Sequence, residues 1–317
     1  MPPVCSLAQI PTPIQEIRFE GKSFLIKRDD LTGCELSGNK VRKLEYILED
    51  AKRKKADIIF TCGGEQSNHA RATTIAAKKI ELNTKLFLWG KEKSNSNGNL
   101  FLNKMYGTEI EYLNKDDYDK VNEIMFDKRM ELLKKKKNAY VLPEGGSTTL
   151  GIWGYINFID ELRKQIDLKS IESIIAASGS GGTAAGMLVG AAINKLNLKI
   201  VAVNVLYSKE VIKKKILQLA EGCVLDYKIN CKINSENLII LDGYSNEGYK
   251  HITQSKIKLV KKFAAETGIL FDPAYTGKAF NAYYENYLET GKGKKNIFVH
   301  TGGFFGVFGR TKEYLAK

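Results

Sequence analysis

The segment Ser173-Ile174-Ile175-Ala176-Ala177-Ser178-Gly179-Ser180-Gly181-Gly182-Thr183 joins a short apolar run to a glycine-rich turn, and a helix-forming stretch follows it. The apolar run is typical of a buried strand. Consecutive backbone N–H groups at a helix N-terminus can bind a phosphate, and Ser180 and Thr183 can add hydroxyl hydrogen bonds. No Lys-Ser or Lys-Thr pair closes the turn, so it is not a Walker loop. The segment predicts a strand, a phosphate-binding turn and a helix, with a simple helix-capping turn as the alternative.

The same alternation of apolar runs and helical patterns extends over most of the chain. Between residues 40 and 51, for example, Val41, Leu44 and Leu48 fall on one helix face. Strands that alternate with helices favour an α/β fold of parallel twisted sheets with helices on both faces. The polar residues 91–99 predict a surface loop. The strand-like runs are residues 57–61, 85–89, 173–177, 200–204 and 296–300.

Composition and charge argue against several classes of protein. The 317 residues are 43% hydrophobic, which is ordinary for a globular chain, and no apolar run reaches the roughly 18 residues of a membrane span. The net charge of +13 comes mostly from lysine runs such as residues 52–55 and 134–137, without interleaved aromatic residues or a nucleic-acid motif. We expect a solvated basic surface and no nucleic-acid or membrane partner. Because the chain does not begin with the pattern of a secretory signal, we also expect a cytoplasmic protein.

The cysteines predict neither a metal site nor a disulfide framework. Cys5, Cys34, Cys62, Cys223 and Cys231 include no pair with the two-residue gap of zinc or redox motifs, and their number is odd. We therefore expect five reduced thiols and no bound metal.

Two more glycine-rich turns follow predicted strands, at residues 63–69 and at Thr301-Gly302-Gly303. Ligands of parallel sheets bind at the carboxyl ends of the strands, so the three turns together predict one shared anionic ligand. Lys40 follows Gly38 and Asn39 in the first turn of a predicted helix, where a cation opposes the helix dipole. That position favours the neutral amine that an imine-forming lysine needs, whereas most lysines are surface charges.

Five motifs occur in order along the chain: Gly38-Asn39-Lys40-Val41-Arg42-Lys43-Leu44-Glu45-Tyr46, Gln66-Ser67-Asn68-His69, Ala177-Ser178-Gly179-Ser180-Gly181-Gly182-Thr183, Asp272-Pro273-Ala274-Tyr275-Thr276-Gly277-Lys278 and His300-Thr301-Gly302-Gly303. Together they resemble the 1-aminocyclopropane-1-carboxylate deaminase and D-cysteine desulfhydrase family, which comprises pyridoxal-phosphate enzymes of fold type II, the tryptophan synthase β-like fold. Their order and rough spacing match along nearly the whole chain, which is far more specific than any single motif.

The resemblance implies how the chain is organised and assembled. Lys40 and the turn at residues 179–183 would share one site, although four strand–helix alternations separate them. We therefore expect a large cofactor-binding domain of residues 1–43 and 153–317 and a small domain of residues 44–152. A two-fold homodimer is the expected assembly.

The resemblance also implies which residues hold the cofactor. Lys40 would carry pyridoxal 5'-phosphate as a Schiff base and move the substrate proton. Lys43 would bind the phosphate, and Asn68 would hydrogen-bond the phenolic oxygen of the cofactor. Further cofactor-binding positions are Gly179, Ser180, Gly181, Gly182, Thr183, Thr276 and Thr301.

The substrate, a small amino acid, would meet a serine-bearing loop and two tyrosines. Ser67 would bind its carboxylate, with Asn68 and His69 beside it, and Tyr275 would tune proton transfer. A second tyrosine is expected about 26 residues before Tyr275, which is Tyr249. The residues that follow Tyr249 depart from the usual Gly-Val-Pro-Asn of the family, so Tyr244 stays open as an alternative.

Two positions bear on the reaction. Deaminases of the family typically have Glu and Leu where this chain has Thr276 and Thr301, and D-cysteine desulfhydrases look like Thr at both. A carboxylate near the pyridine nitrogen would deepen the electron sink that ring opening needs, whereas threonine leaves the ring nearly neutral. We therefore expect α,β-elimination of D-cysteine to pyruvate, ammonia and hydrogen sulfide. The alternatives are 1-aminocyclopropane-1-carboxylate deamination, elimination from another β-substituted amino acid such as cysteate, and, in a different class, a basic ligand- or nucleic-acid-binding protein.

Overall fold

The structure consists of two sheets covered by helices, and the computed structural model describes residues 1–246, 248 and 252–315. The strands are β1 (Ile14–Phe19), β2 (Lys22–Lys27), β3 (Ile58–Gly64), β4 (Asn83–Trp89), β5 (Glu109–Leu113), β6 (Ala139–Val141), β7 (Ser173–Ser178), β8 (Lys199–Asn204), β9 (Leu238–Leu241) and β10 (Asn296–Val299). The α-helices are α1 (Asn39–Arg53), α2 (Asn68–Lys79), α3 (Gly98–Met105), α4 (Lys115–Asp119), α5 (Val121–Lys134), α6 (Trp153–Gln165), α7 (Gly182–Ile193), α8 (Lys209–Asp226), α9 (Gln254–Thr267), α10 (Thr276–Tyr283), α11 (Phe304–Phe308) and α12 (Thr311–Leu315). Short 3₁₀ turns lie at Asp29–Leu31, Glu144–Gly146, Leu168–Ser170, Ser235–Asn237 and Gly293–Lys295, and a π-helical turn lies at Tyr284–Leu288.

The two sheets confirm the predicted α/β fold. The larger sheet has the strand order β1-β2-β10-β7-β8-β9, and the smaller has the order β5-β4-β3-β6. Every neighbouring pair is parallel except β1 and β2. The register pairs Ile297 of β10 with Leu25 of β2 on one side and with Ile174 of β7 on the other. The carboxyl ends of β2, β10, β7, β8 and β9 therefore meet at one edge of the larger sheet.

Helices cover both faces of the larger sheet, because consecutive residues of a strand point to opposite faces. In β7, Ile174 packs in a core with Leu188 of α7. The next residue, Ile175, packs in a second core with Phe263 of α9 and Phe280 of α10. Both faces of the strand are thus apolar and buried, as the continuous apolar run of β7 predicts for a parallel strand.

All five predicted strand runs fall on strands, but two segments differ from the sequence-based expectation. The strands β1 and β2 form an antiparallel hairpin through Glu20 and Gly21, both with positive φ, which is the geometry of a two-residue turn. The predicted surface loop at residues 91–99 is too long by two residues, because α3 begins at Gly98. Asn99 is fully buried in that helix, and its peptide N–H and side chain are bonded to Gln66.

The predicted domain boundaries stay a prediction. All four strands of the smaller sheet lie within residues 44–152, and all strands of the larger sheet lie outside that range. The helix α1 runs through residue 43 without a break, whereas α6 begins at Trp153. Along the chain, the four strands of the smaller sheet therefore come between β2 and β7 of the larger sheet. The helix α1 connects β2 of the larger sheet to β3 of the smaller one.

The lysine runs, the cysteines and the helices can each be compared with the expectations from composition. The basic runs at residues 52–55 and 134–137 are exposed throughout, as expected for a solvated lysine surface. All five cysteines are free thiols, and Cys62 and Cys223 are buried. Among the described residues, no helix is both long enough and apolar enough to cross a membrane.

Candidate active site

One cavity lies where turns from both sheets face each other, beyond the carboxyl ends of β3, β6, β7, β8 and β10. This is the edge at which parallel sheets bind ligands. The lining residues are Asn39, Lys40, Lys43, Ser67, Asn68, His69, Glu144, Gly145, Ala177, Ser178, Gly179, Ser180, Gly181, Gly182, Thr183, Leu206, Tyr275, Thr301 and Gly302.

Most of the site residues predicted from the sequence line this cavity. Thr276 is fully buried behind the wall, where its hydroxyl donates to the carbonyl of Gly302 at 2.9 Å and lies 3.4 Å from the hydroxyl of Thr301. Tyr249 lies outside the described residues. Its alternative, Tyr244, does not line the cavity, and its hydroxyl donates to Glu285.

The turn at residues 179–183 has the geometry of an anion-binding site. Gly181 has a φ of 87°, in the left-handed region that favours glycine, and directly precedes α7. The Nζ of Lys43 is buried at the same place and donates to the carbonyl of Gly145 at 3.3 Å. A Cβ on Gly182 would lie 2.7 Å from that Nζ. The buried amine of Lys43 thus faces the N-terminus of α7, and both are suited to a phosphate.

Lys40 and Ser180 of this turn both lie close to Gly145. A Cβ on Gly145 would lie 2.3 Å from Ser180 Oγ and 3.6 Å from Lys40 Nζ, so the backbone there approaches both side chains closely. Burial lowers the pKa of the Lys40 amine to about 8, and the nearby Glu144 carboxylate opposes that shift. A lysine in this state supplies a neutral amine near neutral pH, which is the form that attacks a carbonyl.

His69 presents a hydrogen-bond acceptor. The hydroxyl of Thr61 donates to the carbonyl of Leu142 at 2.8 Å, so it accepts from His69 Nε2 at 2.9 Å. Burial, with the charges of Lys40 and Lys43, holds the pKa of the His69 ring well below its ordinary value. The ring is therefore neutral with its proton on Nε2, and Nδ1 is an acceptor.

Two buried polar atoms in the cavity wall call for a ligand. Within the described part of the chain, neither His69 Nδ1 nor Ser178 Oγ has a hydrogen-bond partner. Buried polar atoms of native proteins are nearly always bonded. With the depressed pKa of Lys40 and the cradle around Lys43, they fit a phosphorylated aldehyde that carries further polar groups.

A buried ion network fixes the helix that carries both lysines. Arg42 donates from Nε and Nη2 to the two carboxylate oxygens of Asp29, at 2.9 and 2.8 Å, and from Nη1 to Glu161 at 2.8 Å. The hydroxyl of Tyr155 donates to Asp29 at 2.6 Å. Because Arg42 lies between Lys40 and Lys43 in α1, this network sets the position of both amines.

The turn after β6 belongs to the site, although none of the predicted site residues lies in it. Glu144 and Gly145 line the cavity, and Ser147 Oγ accepts from the peptide N–H of Gly182 at 3.2 Å and lies 2.7 Å from Ser180 Oγ. A glycine pair follows the apolar run at residues 139–142, which is the same signal that the other three glycine-rich turns carry. Both glycines, Gly145 and Gly146, have positive φ.

A buried lysine with a lowered amine pKa, beside a phosphate-binding turn and between two sheets, defines an enzyme that holds a phosphorylated aldehyde cofactor on that lysine. A family model described as pyridoxal-phosphate dependent enzyme matches residues 5–302. The chain therefore belongs to the pyridoxal-phosphate dependent enzymes, and pyridoxal 5'-phosphate is its cofactor.

Its relatives carry two kinds of name. A Thermotoga maritima protein provisionally named 1-aminocyclopropane-1-carboxylate deaminase is 38% identical over 96% of this chain and 97% of its own length. The mitochondrial bifunctional D-cysteine desulfhydrase/1-aminocyclopropane-1-carboxylate deaminase of Arabidopsis thaliana is 35% identical over 97% of this chain and 80% of its own length. The D-cysteine desulfhydrase of Salmonella paratyphi B is 31% identical over 96% of this chain and 95% of its own length. These relatives place the chain in the family that its motifs resemble.

Solved structures agree with this assignment. A crystal structure described as an ACC deaminase homologue superimposes with a TM-score of 0.90 at 35% identity, over 99% of this chain and 96% of the other. An O-ureido-L-serine synthase superimposes with a TM-score of 0.68 at 15% identity, over 96% and 93% of the two chains, and shows the shared fold alone. The predicted fold type II is confirmed.

Proposed function

We propose that the protein catalyses the α,β-elimination of D-cysteine, which with one water gives pyruvate, ammonia and hydrogen sulfide. The observation that carries the proposal is the pair of threonine hydroxyls of Thr301, which lines the cavity, and Thr276, which is buried in the wall 3.4 Å behind it. The bound cofactor supplies an electron sink for the substrate α-carbon. Two neutral hydroxyls at the pyridine end would leave that sink modest, which suffices when thiolate is the leaving group.

Two lysines would hold the cofactor and move the proton. Lys40, with its amine pKa near 8, would bind the aldehyde carbon and then take the proton from the substrate α-carbon. Lys43 and the turn at residues 179–183 would bind the phosphate through the ammonium and the backbone N–H groups. Ser147, already bonded to Gly182 and near Ser180, would hold that turn in place.

The loop before α2 would bind the substrate. Ser67 Oγ accepts from the peptide N–H of Ala70 at 3.1 Å, as the N-cap of α2, which leaves its O–H available to donate to a carboxylate. His69 Nδ1, an acceptor, suits a donor on the substrate such as its amino group. Asn68 would donate to the phenolic oxygen of the cofactor. These three adjacent residues would thereby orient the α-carbon toward Lys40.

The aromatic side of the site would be Tyr275. A Cβ on Gly179 would lie 3.0 Å from Cε1 of Tyr275, so this ring packs against the phosphate turn and borders the same cavity. We propose that Tyr275 lies beside the substrate and influences proton transfer. The second active-site tyrosine that we propose is Tyr249, and the bonding of Tyr244 to Glu285 supports that choice over the alternative.

Ring opening of 1-aminocyclopropane-1-carboxylate is the second candidate, because the Thermotoga relative and the superimposed structure carry that name. Cleavage of a carbon–carbon bond needs a deeper electron sink than loss of thiolate. Of the described residues that line the cavity, Glu144 is the only one with a carboxylate, and its charge acts on Lys40. The side chains of Thr276 and Thr301 are neutral hydroxyls, which supports elimination as the faster reaction.

The test is a comparison of two products on one enzyme. Pyruvate and sulfide from D-cysteine should form faster than 2-oxobutanoate from 1-aminocyclopropane-1-carboxylate, and L-cysteine and cysteate complete the panel. In Thr301→Leu, and in Thr276→Glu with Thr301→Leu, sulfide release should fall. Faster ring opening than sulfide release by the unmodified protein would reject elimination as its main reaction.

For the whole molecule we propose a cytoplasmic homodimer. A closed two-fold dimer is the commonest assembly of soluble homo-oligomers. Sedimentation of the holoenzyme should give twice the chain mass of 35.5 kDa, and a monomer at micromolar concentration would contradict the dimer.

A further inference from the structure

Two buried hydrogen-bonding side chains, Arg71 and Asn99, connect the interior to the partly buried Asn68 in the cavity wall. Arg71 Nε donates to Asn99 Oδ1 at 2.8 Å, and Asn99 Nδ2 donates to Asn68 Oδ1 at 2.9 Å. Arg71 and Asn99 are 1% and 0% exposed, and neither lines the cavity. Asn68 does line it. The three residues thus form one relay that ends at the candidate active site.

The direction of each hydrogen bond in this relay is fixed by chemistry. A guanidinium has donors and no acceptor, so the Asn99 atom that faces Arg71 has to be the carbonyl oxygen. The other end of the Asn99 amide is then the NH₂ group, which only donates. The Asn68 atom that faces it has to be an oxygen as well. The NH₂ group of Asn68 is the end that remains for the cavity.

Further contacts make this orientation hard to reverse. Asn99 Nδ2 also donates to the carbonyl of Gln66 at 2.9 Å. A reversed Asn99 amide would face Arg71 with an NH₂ group and Gln66 with an oxygen, and both contacts would be lost. Arg71 itself is held by the carbonyls of Glu35 and Ser37 and lies over the ring of Phe305 at 5.0 Å. Those carbonyls belong to the segment that leads into α1 and Lys40.

We infer that Arg71 and Asn99 are positioning residues that hold Asn68 as a hydrogen-bond donor toward the phenolic oxygen of the cofactor. The inference rests on the role proposed above for Asn68. An amide alone could turn either its NH₂ or its oxygen to the cofactor, and only the NH₂ group stabilises a negatively charged oxygen. The relay selects that end. Through Glu35 and Ser37, Arg71 also connects the position of Asn68 with that of α1.

The test uses Asn99→Asp, which changes the direction of the relay with almost no change in shape. A carboxylate accepts at both ends, so Asp at position 99 keeps the bond from Arg71 and requires a donor from Asn68. The Asn68 amide should turn over and present its oxygen to the cofactor. Asn99→Leu removes the relay and leaves the amide unrestrained. Asn103→Leu is the matched control, a buried asparagine one turn later in α3.

The readout is the pH midpoint of the cofactor's visible absorbance in each purified holoenzyme. The phenolic oxygen carries more negative charge in the unprotonated form of the lysine-bound cofactor, and a donor stabilises that form. Losing the donor should therefore raise the midpoint. We expect a rise of about one pH unit or more in Asn99→Asp, a smaller rise in Asn99→Leu, and no change in Asn103→Leu.

A double variant distinguishes a positioning role of Asn99 from general damage to the structure. In Asn68→Ala, adding Asn99→Asp should leave the midpoint where Asn68→Ala alone puts it. The inference is overturned by an unchanged midpoint in Asn99→Asp, by an equal shift in Asn103→Leu, or by a shift that persists without the Asn68 amide. A wild-type protein that lacks the absorbance band would overturn the proposed function as well, so the two failures are distinguishable.

Discussion

The Nζ of Lys43 and the Oγ of Ser147 lie 3.2 Å apart beneath the phosphate turn. The same hydroxyl accepts from the peptide N–H of Gly182 at 3.2 Å, so the serine connects the lysine to the N-terminus of α7. Burial, and then the charge of Lys40, hold the pKa of the Lys43 amine well below its ordinary value. A buried lysine near another amine is poorly stabilised by the protein alone, and a phosphate dianion supplies the missing charge.

Replacing Lys43 should weaken cofactor binding. Lys43→Met keeps the length of the side chain and removes the ammonium, so a charge-assisted hydrogen bond to the phosphate is lost. We expect the Kd for pyridoxal phosphate to rise about ten- to a hundredfold, measured by equilibrium dialysis of the apoenzyme. Lys52→Met, an exposed position of the same helix, is the control. An unchanged Kd in Lys43→Met would mean that the phosphate binds elsewhere.

The rate of cofactor attachment should depend on pH through Lys40. Its amine pKa is lowered to about 8, so the neutral form predominates above that pH and the protonated form below it. The rate at which apoenzyme and pyridoxal phosphate form the visible band should rise through a midpoint near that value. Because the Glu144 carboxylate favours the charged amine, Glu144→Gln should move the midpoint to lower pH. A midpoint near that of free lysine, about 10.4, would contradict the account.

Breaking the ion network behind α1 should destabilise the fold. Arg42→Gln leaves the fully buried Asp29 without its guanidinium, and such losses typically cost about 3–5 kcal/mol. Denaturant unfolding measures the change. Arg53→Gln, which breaks an exposed pair with Glu49 at 61% exposure of the arginine, should change stability by less than about 0.5 kcal/mol. Equal losses of unfolding free energy in the two variants would contradict a structural role for Arg42.

The effect of Arg42→Gln should also shrink in acid. Burial by itself raises the pKa of Asp29, but the charge and hydrogen bonds of Arg42 outweigh it, so the folded pKa lies below the ordinary value. A depressed carboxylate pKa adds stability above the unfolded pKa of about 3.9, and that stability is lost as pH falls through the folded pKa. The difference in unfolding free energy between wild type and Arg42→Gln should therefore be largest near neutral pH. A difference that grows toward acid pH would contradict a folded pKa of Asp29 below its unfolded value.

Local sequence patterns predicted the parts of the site that each lie within one strand–turn–helix unit. The apolar run predicts the strand β7, and the glycines at residues 179–182 predict the turn that follows it. Lys40 lies in a helix whose apolar residues recur with clear helical periodicity. What the patterns could not supply is the partner of each turn. Ser147 meets Gly182 only because β6 and β7 bring their ends together from different sheets.

Burial of polar residues was the harder part to predict. Asn99 follows a serine- and asparagine-rich stretch that is exposed for most of its length, yet it is itself fully buried because Arg71 and Gln66 bond to it. Thr276 stands next to Tyr275 in the sequence, but its hydroxyl turns to the carbonyl of Gly302 behind the cavity wall. Both outcomes depend on contacts between distant segments, which periodicity and turn chemistry do not encode.

The most direct test of the account is reduction of the purified holoenzyme with borohydride, followed by peptide mapping. Reduction fixes the cofactor to the lysine that holds it. We expect a pyridoxyl label on the peptide that contains Lys40, and no visible band in Lys40→Ala. A label on Lys43 or on any other lysine would contradict the central claim, as would a holoenzyme that keeps its band without Lys40.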